Sequence, residues 1–358
     1  MTEPTVSTSA WIEFLKQQGA QFAAADPLEL QDFGALAPKA EEQESFFAPL
    51  TDLGLIGAAG DDAASFLHSQ LTNDVTHLNT EEARLAGYCS PKGRLLATFL
   101  MWRDAQQVFL QLPRALQPAI QKRLQMFVMR AKAKLSDQSD NYAVIGLAGP
   151  AALNALAEWF PVLPASPYSR IENTNGTLIR VADAQNGARF QWIATPETLI
   201  GAWPKLAQHL AAVSPQAWRL SEIRAGVPQI TTATQEQFVP QMINYELIGG
   251  VNFKKGCYPG QEIVARSQYL GKLKRRTMLA SLDNSEVDVR AGGEIFSSAD
   301  PDQPCGMVVN AGASGGGRAL ALVEIKVAAP ESGSIHFGSA GGPQLQFHDL
   351  PYVLADPQ

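Results

Sequence analysis

Phe253-Lys254-Lys255-Gly256-Cys257-Tyr258-Pro259-Gly260-Gln261-Glu262 is the most informative run of the chain. Gly256 and the pair Pro259-Gly260 punctuate it as a turn, because proline presets φ and glycine accepts positive φ. Cys257 is therefore expected on a loop. A helix over Gln261–Arg266 would leave Cys257 just before its N-terminus, with the positive end of the helix dipole and two lysines as neighbours. Each factor favours thiolate over thiol, which makes Cys257 a candidate reactive cysteine. The competing reading is an inert buried cysteine, the commoner fate of the residue type. Cys89 and Cys305 fall in strand-like runs without basic neighbours and read as core.

Upstream of this run the periodicity is that of an α+β protein. Apolar residues at helical spacing over Trp11–Gln17 and Asp61–Leu71 predict two short helices, the second opened by Asp61 and Asp62. Leu85–Cys89 and Leu95–Trp102 read as strands folded into a hairpin by Ser90-Pro91-Lys92-Gly93, with a further strand at Val108–Leu112. Leu116, Ile120, Leu124 and Phe127 then form the apolar stripe of a helix reaching about Arg130. A second series of the same kind follows: strand Tyr142–Leu147, helix Pro150–Phe160, strands Thr177–Val181 and Arg189–Ala194, and helix Pro196–Ala212 capped by Thr195. The order β-α-β-β-α is that of a split, ferredoxin-like unit. Trp218–Ala225 predicts one more helix, stopped at Gly226.

Downstream of Arg276 the texture changes. Short alternating runs (Thr277–Leu282, Met307–Asn310, Ala319–Lys326) separated by Gly/Pro loops predict a small antiparallel barrel or sandwich. The expected organisation is an N-terminal extension (1–45), an α+β region (46–245, divided near 140), the signature loop with its basic segment (246–275) and a C-terminal β-barrel (276–358).

The 358 residues are 46 % hydrophobic and 18 % charged, enough apolar content for packed cores. No apolar run approaches the ~20 residues that cross a bilayer, and the N-terminus lacks the pattern of a signal peptide, so a cytoplasmic protein without membrane attachment is expected. Three cysteines without C-x-x-C spacing argue against a disulfide framework and a local zinc or cluster site. His68, His77, His209, His336 and His348 are scattered; none has the local signature of a nucleophile's base or a metal set, and surface or capping roles are expected. The net charge of −7 argues against general nucleic-acid binding. Within Lys254–Arg276, however, Lys254, Lys255, Arg266, Lys272, Lys274, Arg275 and Arg276 face a single acidic residue, Glu262. That local excess of +6 could meet phosphates or a polyanionic small molecule. Neither a dinucleotide fingerprint nor a P-loop occurs.

Lys255-Gly256-Cys257-Tyr258-x-Gly260-Gln261-Glu262 closely resembles the signature of the YgfZ family, folate-binding proteins linked to iron–sulfur enzyme maintenance. Phe238-x-Pro240-Gln241 with Asn244, Gly249-Gly250-Val251-x-Phe253, Gln70-Leu71-Thr72-Asn73-Asp74-Val75 and Tyr88-Cys89-x-Pro91-Lys92-Gly93-Arg94 fit the same family in order, over about residues 50–330. The resemblance implies the fold of the glycine-cleavage T-protein: α+β parts including a ferredoxin-like unit, and a C-terminal β-barrel, around a central folate-binding channel. It implies bound tetrahydrofolate or a one-carbon derivative, and iron–sulfur client enzymes as partners, including a radical tRNA methylthiotransferase.

By that resemblance Trp218, ahead of Ile223-Arg224-Ala225-Gly226, holds the place of a folate-contacting tryptophan, where a pterin ring can stack on indole. Arg224 or the basic segment could meet the glutamate tail. Leu53 stands where the family has a second tryptophan, which removes part of the aromatic clamp. Lys254 and Lys255 would lower the thiol pKa or hold an anion, Tyr258 would line the site, and Gln261 and Glu262 would fix the loop by hydrogen bonds. The T-protein enzymes carry an Asp-Asp pair shortly after the hairpin glycine; here Gly93-Arg94-Leu95-Leu96 leads into Ala97-Thr98, without the carboxylate that aminomethyl transfer needs. A folate-binding accessory protein is therefore expected, and the alternative is a folate-dependent one-carbon transferase with Cys257 as nucleophile.

Overall fold

The computed structural model describes residues 10–34, 43–184, 187–269, 273–283 and 287–354. The chain forms two discontinuous compact units, Met1–Leu53 with Gln138–Trp218 and Gly54–Asp137 with Arg219–Gln358. The helix of the N-terminal stretch docks within the first unit. Helix Ala10–Gln17 buries Trp11, Ile12 and Leu15, and Trp11, Phe14 and Phe47 meet the Trp203 ring at 6.0, 5.4 and 4.7 Å.

In the first unit a six-stranded sheet runs Arg170–Asn173, Gly176–Ala184, Gly187–Ala194, Ala143–Ala148, Phe46–Pro49, Ala211–Ala212. Helix Pro150–Leu156 leads from strand Ala143–Ala148 to the hairpin pair, and helix Pro196–His209 leads from there to Ala211–Ala212. This is the ferredoxin-like order with one insertion. Phe46–Pro49 lies antiparallel to Ala143–Ala148 and parallel to Ala211–Ala212, separating the first strand of the unit from its last. Thr195 caps the second helix as expected, its Oγ1 accepting from the Thr198 amide at 3.4 Å. That helix ends before Ala212 because Leu210 turns extended (φ −131°, ψ 145°) and hands the chain to the sheet.

The sheet of the second unit runs Ala83–Cys89, Leu95–Arg103, Gln107–Pro113, Leu53–Ala59, Lys134–Asp137, with helices Ala63–His68 and Gln117–Phe127. Setting aside edge strand Ala83–Cys89, the chain order β-α-β-β-α-β and this neighbour order are ferredoxin-like without insertion. The hairpin stands where the Pro/Gly run placed it: Gly93 takes φ +70° and its amide donates to Ser90 O at 2.9 Å. Leu95–Trp102 is buried on both faces, so its sequence reads as a continuous apolar run.

The C-terminal strands run Ile335–Phe337, Glu294–Ser297, Asp300–Gly315, Arg318–Lys326, Arg275–Asp283, Gln346–His348. The last segment serves both edges. Gln346–His348 pairs with Leu279–Ser281, while Gln344 bridges His336 and the Leu345 amide donates to Ile335 O at 2.8 Å. The sheet therefore closes into a small barrel around Ala280, Leu282, Ile295, Val308, Val323 and Ile325.

Candidate functional site

In the second unit the loop ahead of helix Gln261–Tyr269 is held from three sides. Thr72 Oγ1 donates to Gly250 O, 178 residues further along the chain, at 2.6 Å and accepts from the Gly87 amide at 2.7 Å, so one hydroxyl ties that segment to strand Ala83–Cys89. Asn73 Nδ2 donates to Leu85 O and Gly249 O, each at 2.7 Å, and the Asn252 amide donates to Thr72 O at 2.9 Å. Gly260 (φ +79°) packs on the hairpin turn so closely that a Cβ would lie 2.4 Å from Ser90 O and 2.6 Å from Gly93 Cα. Only glycine combines that φ with that approach.

Lys255 is 8 % exposed. Its Nζ donates to His68 O and, at 2.6 Å, to Leu71 O, and lies 4.8 Å from the centre of the Tyr258 ring. The ammonium thus closes the C-terminal end of helix Ala63–His68, where a cation complements the free carbonyls. Burial lowers its pKa to about 8, against the attraction of Asp74 and Cys257. Cys257 is exposed, while Cys89 and Cys305 are buried as expected. Burial pushes the Cys89 thiol up to about 12 and raises that of Cys305. Tyr258 is buried, its phenol raised by burial and then by Cys89, and its Oη has no protein partner among the described residues.

Two residues that sequence reasoning left without a chemical role complete the site. Asp74 lies within 3.0 Å of His68 Nδ1 and 2.7 Å of His77 Nδ1, and accepts from Thr76 Oγ1 at 2.9 Å. Burial would raise its pKa, but the bonds from His77 and Thr76 and the charge of His68 outweigh burial and hold the carboxyl well below its ordinary range. His68 is lowered from 6.5 by burial and then by Lys255, Asp74 opposing. The Gln70–Val75 run contained Asp74, and His68 lies two residues ahead of it, but nothing there pointed across about 180 positions to Lys255.

The other expected site residues are distributed as follows. Lys254 is exposed, and its amide closes a turn on Asn252 Oδ1 at 2.8 Å. Gln261 and Glu262 open the helix but make no side-chain hydrogen bond among the described residues, so the backbone contacts above fix the loop in their place. Arg224 ends helix Pro215–Arg224, half-buried, its pKa lowered by burial. Leu53, half-buried, begins its strand. Trp218, in the first unit, is 3 % exposed. A Cβ on Gly146 would lie 2.3–2.8 Å from three indole atoms, and the Arg189 guanidinium sits 4.9 Å from the ring centre.

The basic segment does not form one patch. Lys255 is spent on carbonyls, Arg275 pairs with Glu324, and Arg276 forms a buried pair with Glu246. Lys272 lies outside the described residues. Among the described residues no group of three or more His, Cys, Asp or Glu is arranged to hold a metal ion. No helix there is long and apolar enough to cross a membrane.

The GCVT N-terminal domain family matches residues 47–182. Among curated relatives, the tRNA-modifying protein YgfZ of Colwellia psychrerythraea is 32 % identical over 66 % of this chain and 71 % of its own. That of Yersinia pseudotuberculosis is 31 % identical over 68 % and 73 %. Among solved structures, the glycine cleavage system aminomethyltransferase T of Bartonella henselae superposes with a TM-score of 0.75 over 95 % of this chain and 96 % of that one, at 18 % identity. The fold is that of the T-protein. Thr98, in the strand after the hairpin turn, is buried, with its Oγ1 accepting from the Ile230 amide at 3.1 Å.

Proposed function

The chain belongs to the YgfZ family, and on that premise we propose that it is a folate-binding accessory protein supporting assembly or repair of iron–sulfur clusters in client enzymes, tRNA-modifying radical enzymes among them. The observation that carries this reading is Cys257: an exposed thiol on a loop pinned at Thr72, Asn73, Lys255 and Gly260, beside an ammonium that attracts it. A merely structural cysteine needs none of these supports.

For the folate, the residues of the first unit fit a pterin ring. Gln191 is the cross-strand partner of Gly146, on which Trp218 rests, and its Oε1 is buried without a protein partner among the described residues. An aromatic face beside an unsatisfied acceptor suits a flat heterocycle whose edge carries N–H donors. Leu53 leaves the pterin with a single tryptophan clamp. In the second unit Arg224 and Lys254 are proposed as partners for carboxylates. Tyr258, Gln261 and Glu262 are proposed to shape the surroundings of the thiol. When bound, folate would supply a one-carbon unit or a reduced pterin.

An anaerobic tetrahydrofolate titration read by tryptophan fluorescence tests this, on the wild type and Trp218→Phe, with the folate assayed afterwards. Saturable quenching that depends on Trp218, with the folate unaltered, is expected. Altered folate would replace the accessory role by the one-carbon transferase, and absence of binding would remove folate from the reading. A Cys257→Ala protein that restores client-enzyme activity fully in a deletion strain would remove the thiol.

A further inference from the structure

His68 is tethered on one side of its ring and open on the other. Nδ1 lies 3.0 Å from Asp74 Oδ1 and 3.2 Å from Thr76 Oγ1. The Val75 amide donates to Nδ1 at 3.4 Å and competes for it, but the shorter contact to a carboxylate held ionised decides the tautomer. A neutral imidazole therefore keeps its proton on Nδ1 and leaves Nε2 as an acceptor. Nε2 lies 3.7 Å from the point a Cβ would occupy on Gly256, the residue before Cys257, and no other described atom outside the adjoining chain comes within 4 Å of that point. Lys255 interacts electrostatically with both His68 and Cys257, so the ammonium is the charge common to imidazole and thiol.

We propose that His68, oriented by Asp74, is the proton acceptor for the Cys257 thiol. This rests on the reading of Cys257 as the functional thiol and adds the group that activates it. The Sγ–H bond breaks, the proton passes to Nε2, and the electron pair remains on sulfur. The thiolate then lies near an imidazolium and the Lys255 ammonium, while Asp74 stabilises the imidazolium through Nδ1–H.

Lys255 is the competing base in the site, and the structure sets it aside. With a pKa of about 8 it is protonated at neutral pH, and its hydrogens are directed at His68 O and Leu71 O. His68, lowered by burial and Lys255, is unprotonated there and free to accept. The remaining ionisable neighbour, His77, is largely exposed and binds the other Asp74 oxygen. Asp74 is a positioning residue, acting on the thiol through His68.

The experiment is alkylation of the full-length protein by iodoacetamide from about pH 5 to pH 10, followed for Cys257 by peptide mass spectrometry. The wild type is expected to alkylate at Cys257 faster near pH 7 than a small free thiol under the same conditions. His68→Gln is expected to slow the reaction about tenfold or more near pH 7, because an unassisted thiol is only a few per cent thiolate there. Asp74→Asn is expected to slow it less, leaving the imidazole present but its tautomer free. Added imidazole should restore rate to His68→Ala, a recovery that a purely structural role would not give. Circular dichroism melts identify any variant that has lost the fold, and the remaining variants then decide. A His68→Gln profile superimposed on that of a fast wild type would overturn the proton acceptor and leave the functional thiol standing. A wild-type Cys257 that alkylates near pH 7 no faster than a small free thiol would overturn both.

Discussion

Strand Ala143–Ala148 in one unit and strand Leu53–Ala59 in the other open the same β-α-β-β-α-β order, and each carries a glycine under a close neighbour. At Gly54 the neighbour is Gln117 of the unit's own second helix; at Gly146 it is the Trp218 indole. Facing residues alternate along a strand. Ile145, Leu147, Phe190 and Trp192 therefore point into the apolar core, and Gly146, Arg189 and Gln191 point to the opposite face, where Trp218 lies. In the other unit the hairpin that begins with the edge strand, Ala83–Arg103, takes its neighbours by hydrogen bonding: Tyr245 Oη to Ala86 O at 3.1 Å, the Leu95 amide to Phe238 O at 2.8 Å, and the Thr72 and Gly260 contacts that hold the cysteine loop. One topology thus supports an aromatic surface in one unit and a reactive loop in the other. The frame does not choose between them; the residues laid against it do.

That contrast can be broken most severely at Trp218. Trp218→Ala removes a buried indole and is expected to cost about 3–5 kcal/mol, read as a lower urea midpoint. If Trp218 served only as a ligand platform, the midpoint would stay put. Next in size is Gly260→Ala, where a Cβ would meet Ser90 O at 2.4 Å in a backbone of positive φ. A loss of about 2–4 kcal/mol is expected, together with altered Cys257 alkylation. An unchanged alkylation rate would mean that the loop holds its shape without the hairpin. Lys255→Met should cost about 1–3 kcal/mol, because the His68 and Leu71 carbonyls lose a charged donor in a buried place. Faster amide exchange over residues 68–72 is the expected signature.

The smallest effect is a pH dependence confined to the second unit. The folded pKa of His68 lies below 6.5, so the unfolded state binds more protons as pH drops through that value, and stability falls. Asp74 acts in the same direction further down: its contribution is present above 3.8 and is lost as pH falls towards its depressed folded value. Urea midpoints at pH 7 and pH 5 should therefore differ more for the wild type than for His68→Gln.

Much of the fold was legible because local chemistry agreed with the final structure. Ser90-Pro91-Lys92-Gly93 made the hairpin, Thr195-Pro196 opened a helix, and Gly226 ended another with φ +66°. Among the strands that escaped notice, Phe46–Pro49, Leu53–Ala59, Lys134–Asp137 and Ala211–Ala212 are short or lack alternation. Their partners are distant in sequence, and a strand without local pattern is specified only by the neighbour that bonds to it. The duplicated topology stayed hidden for the same reason, since each unit needed one of these strands to complete its order.

At the site, sequence by itself determined the residue types and the turn: a cysteine between glycines, preceded by two lysines, at the mouth of a helix. It also determined the family through Lys255–Glu262. Only tertiary structure decided that Lys255 would cap helix Ala63–His68, that Arg275 and Arg276 would be consumed by Glu324 and Glu246, and that the His68 ring, with Asp74 on its Nδ1, would approach Gly256. The physical reason is range. Turn propensity and helix capping act over a few residues, whereas hydrogen bonds and charges act over a few ångströms, and folding alone brings residues 68–74 within a few ångströms of residues 249–257.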